Sequence, residues 1–258
     1  MSNIKGIILD WAGTTIDFGC FAPVQVFVEI FKNENIDVTI EEAREPMGML
    51  KRDHIEAMLN MDRIANEWKS VKGRSHTQED IDHLYANFEK SLMETLKDYT
   101  TPIPNVIDTI NELRNKGYKI GSTTGYTKSM MEVVTAEAKL KGYSPDYYVT
   151  AEAVNGYGRP YPYMIFENMK QLELERVAEV VKVGDTVSDM KEAVNAGVLA
   201  IGVIKGSSVV GLSEDEWNAL SDNEIDEHRQ KATKKFKENG ASYVIDDITQ
   251  LPQLLEKI

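Results

Sequence analysis

The chain has 258 residues, of which 42% are hydrophobic, so it is long enough to bury the core of one large domain or two modest ones. Its 29 basic and 42 acidic residues give a net charge of -13. This balance argues against nucleic acids and anionic membranes as partners, because both require a basic surface. A small anionic substrate is compatible with it where a metal ion or local cations offset the acidic field.

The cysteine content and the apolar segments favour a cytoplasmic location. Cys20 is the single cysteine, which excludes disulfides within the chain and fits a reducing compartment. Asp10 interrupts the early apolar run, so we expect no signal peptide. No apolar segment approaches the roughly 18 residues that a membrane-spanning helix needs.

The first predicted element is a buried strand that ends in an aspartate. Three apolar residues lead directly into Asp10, and the small turn Ala-Gly-Thr-Thr follows at 12–15. Such a strand delivers a carboxylate to the edge of a sheet, and Gly13 lets backbone amides approach a ligand closely. Taken alone, the pattern fits an ordinary strand and polar turn equally well.

A long segment of helical periodicity follows this strand. An apolar stripe runs through residues 24–31, and a further helix is predicted over about 49–60. Thr39 and Thr77 have the pattern of helix N-caps, since an acidic residue stands three positions after each. Residues 20–98 are therefore predicted to form an all-helical insert.

Strands and helices alternate in the remainder of the chain, from residue 99 onward. The predicted strands are 118–122, 147–149, 180–183, 199–204 and 243–245. This alternation favours a parallel sheet with helices on both faces. The sequence thus predicts an α/β fold, with residues 1–19 and 99–258 forming a Rossmann-like doubly wound core and residues 20–98 forming an inserted helical cap.

Four of the predicted strands lead to polar residues at their ends or in the following loops. These residues are Asp10, Thr124, Arg159 and the pair Asp185 and Asp189. Each has an ordinary explanation: a helix cap for Thr124, a surface ion pair for Arg159, a helix N-terminal charge for Asp189. Ligands of such sheets bind at the carboxyl ends of the strands. One shared site explains all of these residues together.

Such a site favours phosphoryl transfer. Carboxylates from two strands can hold Mg²⁺, which prefers oxygen ligands. A hydroxyl and a guanidinium can bind the phosphoryl oxygens. One carboxylate can also act as a nucleophile and form an aspartyl-phosphate that water then hydrolyses.

Four motifs resemble those of the haloacid dehalogenase superfamily in order and spacing. They are Asp-Trp-Ala-Gly-Thr-Thr at 10–15, Ser-Thr-Thr-Gly at 122–125, Gly-Arg-Pro at 158–160 and Gly-Asp-Thr-Val-Ser-Asp at 184–189. The helical insert resembles the cap domain of that superfamily in position and size. The resemblance covers essentially the whole chain.

Two features distinguish the chain from the phosphatases of that superfamily. Those proteins carry a second aspartate two residues after the nucleophile, which serves as general acid and base, whereas Ala12 stands at that position here. The helix over about 49–60 places Lys51 and His54 three residues apart on one face. A lysine in such a place is commonly a solvated charge, but the missing aspartate favours a chemical role.

With these features the sequence resembles the phosphonoacetaldehyde hydrolase family. The matching segments are 10–15, 19–23, 47–54, 121–127, 158–162 and 182–191. The resemblance implies hydrolysis of a carbon–phosphorus bond, with Asp10 attacking phosphorus and Lys51 forming a Schiff base with the aldehyde. The lysine must be neutral to attack, so we expect a lowered pKa. His54 is a candidate proton shuttle, or else a structural histidine.

The resemblance also implies a metal site and a phosphoryl-binding site. Mg²⁺ would be held by the carboxylates of Asp10 and Asp185 and the backbone carbonyl of Ala12, with Asp189 acting indirectly. Thr124 and Arg159 would bind the phosphoryl group.

Three further residues, Met47, Cys20 and Tyr126, are candidates for the pocket lining, although packing explains each equally well. The family resemblance implies a homodimer formed through the caps, in which the stripe at 24–31 lies either in the interface or in the core. The implied partner is a small phosphonate, and the cap must close over it before reaction.

Three alternatives compete with this interpretation, and one of them, a catalytically inactive binding protein, is disfavoured because every motif residue is in place. A generic phosphatase or phosphomutase of the superfamily would turn over phosphate esters and tolerate Lys51→Arg, and Ala12 argues against it. A receiver-like signalling domain also gathers acidic residues at strand ends, but the insert at 20–98 argues against that class.

Overall fold

The structure is a computed structural model that describes residues 4–258, so residues 1–3 of the predicted core segment lie outside the described part. The strands are β1 (Gly6–Leu9), β2 (Lys119–Thr123), β3 (Tyr147–Val149), β4 (Val180–Gly184), β5 (Leu199–Val203) and β6 (Tyr243–Ile245). They form one parallel sheet in the order β3-β2-β1-β4-β5-β6. The sheet is therefore doubly wound, as predicted, and its order reverses beside β1.

Six helices separate β1 from β2, namely α1 (Phe21–Asn33), α2 (Ile40–Arg44), α3 (Lys51–Leu59), α4 (Asp62–Lys72), α5 (Gln78–Thr95) and α6 (Val106–Asn115). The later helices are α7 (Lys128–Leu140), α8 (Tyr163–Gln171), α9 (Val187–Ala196), α10 (Glu214–Ala219), α11 (Asp222–Glu238) and α12 (Leu251–Leu255). Within residues 21–95 the structure assigns helices and no strand, in agreement with the predicted helical insert. The division into core and cap domains stays a prediction.

Both faces of the sheet are covered by helices. On one face, Ile7 and Val183 belong to a buried cluster that includes residues of α6, α7 and α12 and continues into the helical insert. On the other face, Ile8 packs with residues of α8, α9 and α11. Because side chains alternate along a strand, the apolar run of β1 supplies both clusters.

The helical insert is held by its own apolar stripes. Phe27 of α1 is fully buried and its ring stacks on Phe88 of α5, with the centroids 4.3 Å apart. Val24 and Phe31 are buried in the same cluster. The stripe at 24–31 is therefore used mainly for packing within the chain.

The capping patterns read from the sequence are present. Thr39 accepts a hydrogen bond from the backbone N–H of Glu42 and begins α2, and Thr77 begins α5 in the same way with Asp80. Both caps are reciprocal, since each acidic side chain accepts from the backbone N–H of its threonine.

The boundaries of several elements differ from those predicted. The sequence predicts that the segment from Gly158 to Pro162 opens a helix, but α8 begins only at Tyr163, because Pro160 and Pro162 keep this segment irregular. No element is predicted for residues 205–242, where the structure has α10 and α11. Ser213 and Ser221 cap these two helices. No helix in residues 4–258 has the length and apolar character to cross a membrane.

Candidate active site

The candidate site lies at the point where the strand order reverses. Asp10 follows β1 and Asp185 follows β4, and these strands are neighbours in parallel register, with Leu9 beside Val183. The backbone N–H of Asp10 donates to the Val183 carbonyl at 3.0 Å. Both carboxylates therefore reach the same edge of the sheet, where doubly wound folds bind ligands.

Three aspartates meet at this edge. Carboxylate oxygens of Asp10, Asp185 and Asp189 all lie within 4.8 Å of one another, and all three residues are buried. Burial raises the pKa of Asp185 well above its ordinary value, and the neighbouring charges of Asp10 and Asp189 add to the effect. Such a set of hard oxygen donors fits a divalent cation, whose charge would offset their mutual repulsion.

Two neutral groups orient Asp185. The hydroxyl of Thr14 donates to Oδ1 at 2.9 Å, and the backbone N–H of Ser208 donates to Oδ2 at 2.8 Å. Gly13 makes this packing feasible: it has φ +87°, and a Cβ there would lie 2.2 Å from Asp185 Oδ2. The turn after β1 thus needs glycine for its backbone conformation and for this close approach.

Asp189 is more closely engaged by protein groups than the other two aspartates. Its Oδ2 accepts from the hydroxyl and the N–H of Thr186, which caps α9. Its Oδ1 lies 2.8 Å from Lys182 Nζ and 3.1 Å from Arg159 Nη2. Burial opposes ionisation of Asp189, but these two cations outweigh it and lower the pKa.

Arg159 connects the aspartates to the strand ends. Its side chain is buried, and its Nη2 donates to Asp10 Oδ1 at 2.7 Å and to the carbonyl of Thr123 at 2.8 Å. Its Nε donates to Glu192 at 3.0 Å. Burial alone would lower the pKa of Arg159, but the surrounding carboxylates raise it above its ordinary value, so the group is a permanent cation.

Thr124 follows β2 directly and is buried. Its hydroxyl accepts a hydrogen bond from the backbone N–H of Tyr126 at 3.0 Å. It does not cap the following helix, because Thr127 is the N-cap of α7. Thr124 therefore stabilises the loop at the sheet edge, beside Asp10.

Lys51 reaches this site from the first turn of α3. It is only 5% exposed, and its Nζ lies 5.0 Å from the ring centroid of Tyr126 and 5.9 Å from that of Phe27. Among the residues that the structure describes, no carboxylate forms an ion pair with it. Burial lowers the pKa of the Lys51 amine, as expected for a nucleophilic lysine, despite the opposing charge of Asp10.

His54 lies one turn further along α3 and is fully buried. Its ring stacks on Phe27 with the centroids 3.8 Å apart, and Nε2 is 2.9 Å from the carbonyl of Ala43. Because a carbonyl only accepts, Nε2 must carry the proton, and Nδ1 is then a buried acceptor without a hydrogen-bond partner in the described chain. Burial and the charge of Lys51 lower the pKa of His54 well below 6.5.

A single small cavity brings together most of the predicted residues. Its volume is about 20 Å³, room for about one water molecule. Its lining comprises Asp10, Ala12, Cys20, Met47, Gly48, Lys51, Thr124, Gly125, Tyr126, Arg159 and Thr186. His54 is not part of this lining. A more spacious cavity, about 730 Å³, lies between α7 and β3, and none of the predicted site residues lines it.

The loop before α3 closes this cavity against the sheet edge. A Cβ at Gly48 would lie 2.4 Å from Thr186 Oγ1, and one at Gly125 would lie 2.7 Å from the carbonyl of Met49. The hydroxyl of Ser188 also donates to the carbonyl of Met47 at 3.1 Å. The two sides of the cavity thus touch through glycines.

Several residues around the site were missed in the sequence. Thr14 lay within a quoted motif, and Lys182 was visible as a charge in an otherwise apolar strand. Glu192 stood three residues after Asp189 without any distinguishing pattern. Ser208 had no local signal, since its link to Asp185 spans 23 residues of chain.

Comparison with known proteins gives the class of this fold and site. A model of the haloacid dehalogenase-like hydrolases matches residues 4–197, so the chain is a hydrolase of that class. A hydrolase from Pseudomonas syringae shares the fold, with a TM-score of 0.70 at 19% identity over 98% of this chain and 99% of that one.

More similar proteins define the particular family. Phosphonoacetaldehyde hydrolase of Lysinibacillus sphaericus is 54% identical over 99% of this chain and 95% of its own length. A phosphonoacetaldehyde hydrolase-like protein from Oleispira antarctica superposes with a TM-score of 0.95 at 40% identity, over 99% of this chain and 92% of that one. The chain belongs to the phosphonoacetaldehyde hydrolase family.

One relative contains a second activity. The bifunctional phosphonoacetaldehyde hydrolase/aminoethylphosphonate transaminase of Clostridioides difficile is 52% identical over 99% of this chain, which spans only 40% of that protein. The match therefore accounts for less than half of the bifunctional relative.

Proposed function

We propose that this protein hydrolyses the carbon–phosphorus bond of phosphonoacetaldehyde, releasing acetaldehyde and phosphate, in the degradation of 2-aminoethylphosphonate. One observation carries the proposal: Lys51 and Asp10 border the same small cavity, with Lys51 desolvated and without an ion pair among residues 4–258. The names of the relatives give independent support.

The reaction explains why the site needs a lysine and not a second aspartate. Direct displacement at phosphorus would expel a carbanion, which protonation of an oxygen cannot stabilise. When the Lys51 amine condenses with the aldehyde and water leaves, the protonated imine becomes an electron sink. Asp10 then attacks phosphorus, and the electrons of the carbon–phosphorus bond move into the imine to give an enamine. Ala12 is consistent with this route, because no acid is required there.

Two hydrolyses complete the turnover. The enamine takes up a proton at carbon, and water hydrolyses the resulting imine, which releases acetaldehyde and the Lys51 amine. A second water hydrolyses the aspartyl-phosphate, which releases phosphate and the Asp10 carboxylate. We assign proton transfer during the imine steps to His54, because its Nδ1 is an unprotonated acceptor one helical turn from Lys51.

The remaining predicted residues bind the phosphoryl group and a cation. Arg159 and Thr124 lie beside Asp10 and are assigned to the phosphoryl oxygens. Asp10, Asp185 and the Ala12 carbonyl would hold Mg²⁺, and Asp189 would interact with the ion indirectly. When bound, Mg²⁺ would neutralise phosphoryl and carboxylate charge.

Substrate entry requires an opening motion, for which residues 20–98 are the proposed moving cap. A cavity of about 20 Å³ is too small for phosphonoacetaldehyde. Met47, Cys20 and Tyr126 line the cavity and are assigned to contact the substrate. A homodimer through the caps and a cytoplasmic location remain part of the proposal.

Borohydride trapping tests the mechanism. Reduction in the presence of phosphonoacetaldehyde should add a two-carbon or phosphonoethyl group to Lys51, and omitting the substrate should abolish the modification. Lys51→Arg retains the charge but should lose both the adduct and turnover, whereas Lys139→Arg, on an exposed surface of α7, should behave as wild type. Active enzyme without modified Lys51 would exclude the Schiff base. Turnover of aryl phosphates by Lys51→Arg would favour the generic phosphatase.

A further inference from the structure

A second group of buried charges lies behind Arg159, on the side of the sheet that faces α9. Lys182 stands in the centre of β4 and is fully buried, at a position where parallel strands normally carry apolar residues. Its Nζ lies 2.8 Å from Asp189 and 3.7 Å from Glu192 Oε2. Because an unpaired buried lysine is strongly unfavourable, this side chain is retained only together with these acids.

Glu192 connects Arg159 to the end of β2. It lies on α9, is fully buried, and its Oε2 accepts from Arg159 Nε at 3.0 Å and from the hydroxyl of Thr123 at 2.9 Å. The same Thr123 hydroxyl accepts from Arg159 Nη2 at 2.9 Å. The Glu192 carboxylate and the Thr123 hydroxyl therefore both accept hydrogen bonds from one side of the planar guanidinium, which fixes the orientation of its plane.

This arrangement leaves one part of Arg159 unused. Its Nε and Nη2 atoms are engaged by Glu192, Thr123, Asp10 and Asp189, whereas Nη1 is buried and has no hydrogen-bond partner in the described residues. An unsatisfied buried donor is unfavourable unless a ligand completes it. Since Arg159 borders the cavity, the two Nη1 protons are the ones available to a phosphoryl oxygen.

We propose that Glu192 and Lys182 are positioning residues for Arg159. Glu192, together with Thr123, sets the plane of the guanidinium so that Nη1 stays free for the phosphoryl group. Lys182 partly neutralises the charges of Glu192 and Asp189, which weakens the electrostatic attraction between these two acids and Arg159. The inference rests on the proposed function, because it assigns the phosphoryl group to Arg159.

A double-mutant cycle on the affinity for inorganic phosphate tests this inference. The variants are Glu192→Gln, Arg159→Lys and the double variant, measured by calorimetry in the presence of Mg²⁺. Glu192→Gln should weaken phosphate binding by roughly 5- to 50-fold and raise KM for phosphonoacetaldehyde. If Glu192 acts through Arg159, the double variant should bind phosphate no more weakly than Arg159→Lys alone. Losses that multiply would overturn the positioning role.

Control variants separate positioning from general stability. Glu179→Gln removes another buried, ion-paired carboxylate, located just before the opposite end of β4, and should lower the melting temperature without changing phosphate affinity. Thr123→Val keeps the side-chain volume and removes the hydroxyl, so it should cause part of the loss of phosphate affinity expected for Glu192→Gln. It therefore tests the inference even where Glu192→Gln folds poorly. Equal phosphate affinity in Thr123→Val, Glu179→Gln and wild type would overturn the inference.

The two proposals fail in different ways. Phosphate affinity does not require turnover, so the cycle decides the positioning role even where the proposed reaction is wrong. Conversely, borohydride should still reduce the imine onto Lys51 in Glu192→Gln, because imine formation does not use the guanidinium of Arg159. Loss of trapping in Glu192→Gln with unchanged phosphate affinity would overturn the positioning role while leaving the proposed reaction intact.

Discussion

Replacing Gly48 by alanine tests whether catalysis requires the closed contact between the loop before α3 and the sheet edge. Gly48 has φ +87°, and a Cβ there would lie 2.4 Å from Thr186 Oγ1 and 2.9 Å from Ser188 Cβ. Ordinary contact begins at 3.4 Å, so the loop must withdraw by about 1 Å. The added methyl therefore opposes closure directly.

The chain offers a matched control at Gly117. That residue has φ +88°, and a Cβ there would have no neighbour within 4 Å. Both variants should lose about 1–2 kcal/mol of stability, because an L-residue disfavours the left-handed region. Gly48→Ala should additionally destabilise the closed state by about 1–3 kcal/mol, the usual effect of overpacking.

The difference should be measurable in kcat/KM for phosphonoacetaldehyde, followed by acetaldehyde release, beside thermal melts of both variants. An extra 1–3 kcal/mol corresponds to roughly a 5- to 150-fold fall for Gly48→Ala relative to Gly117→Ala. Equal kcat/KM values in two variants of equal stability would refute the requirement for this contact.

The burial of three ionisable groups, Asp17, Asp185 and Cys20, gives three other predictions. Asp17, whose carboxylate accepts the first N–H groups of α1, has its pKa raised to about 6 by burial. Between about pH 4 and 6 the folded state therefore binds more protons than the unfolded state. The free energy of unfolding, measured by urea denaturation, should fall by about 3 kcal/mol as the pH rises from about 4 to 6, and Asp17→Asn should remove this decline. The raised pKa of Asp185 means that a divalent cation displaces a proton, so calorimetry should show Mg²⁺ affinity rising with pH; affinity independent of pH would contradict this. Burial also raises the pKa of the Cys20 thiol, so iodoacetamide should label the native protein at least about 100-fold more slowly than the urea-unfolded chain, as followed by mass spectrometry; equal rates would contradict it.

The sequence was sufficient for features that depend on neighbours within a few positions. The apolar run before Asp10 predicted β1, and the threonine caps at Thr39 and Thr77 mark the helix starts found in the structure. Ala12 stands where the phosphatases of the superfamily have a second aspartate. Its presence argued against phosphate esters as substrates and directed attention to Lys51. These signals are local, since strands, caps and turns are specified by adjacent residues.

Only the tertiary structure decided which side chains share a site and which of their atoms are free. Lys182 looked like an interruption of a strand and Glu192 like a helix charge, but the packing of α9 on β4 places Glu192 against both Arg159 and Lys182. The structure likewise shows that Lys51 lines the cavity and His54 does not, although the sequence placed both on one helix face. Such contacts join residues far apart in the chain, and desolvation depends on everything packed around a group, so neither can be read from a local pattern.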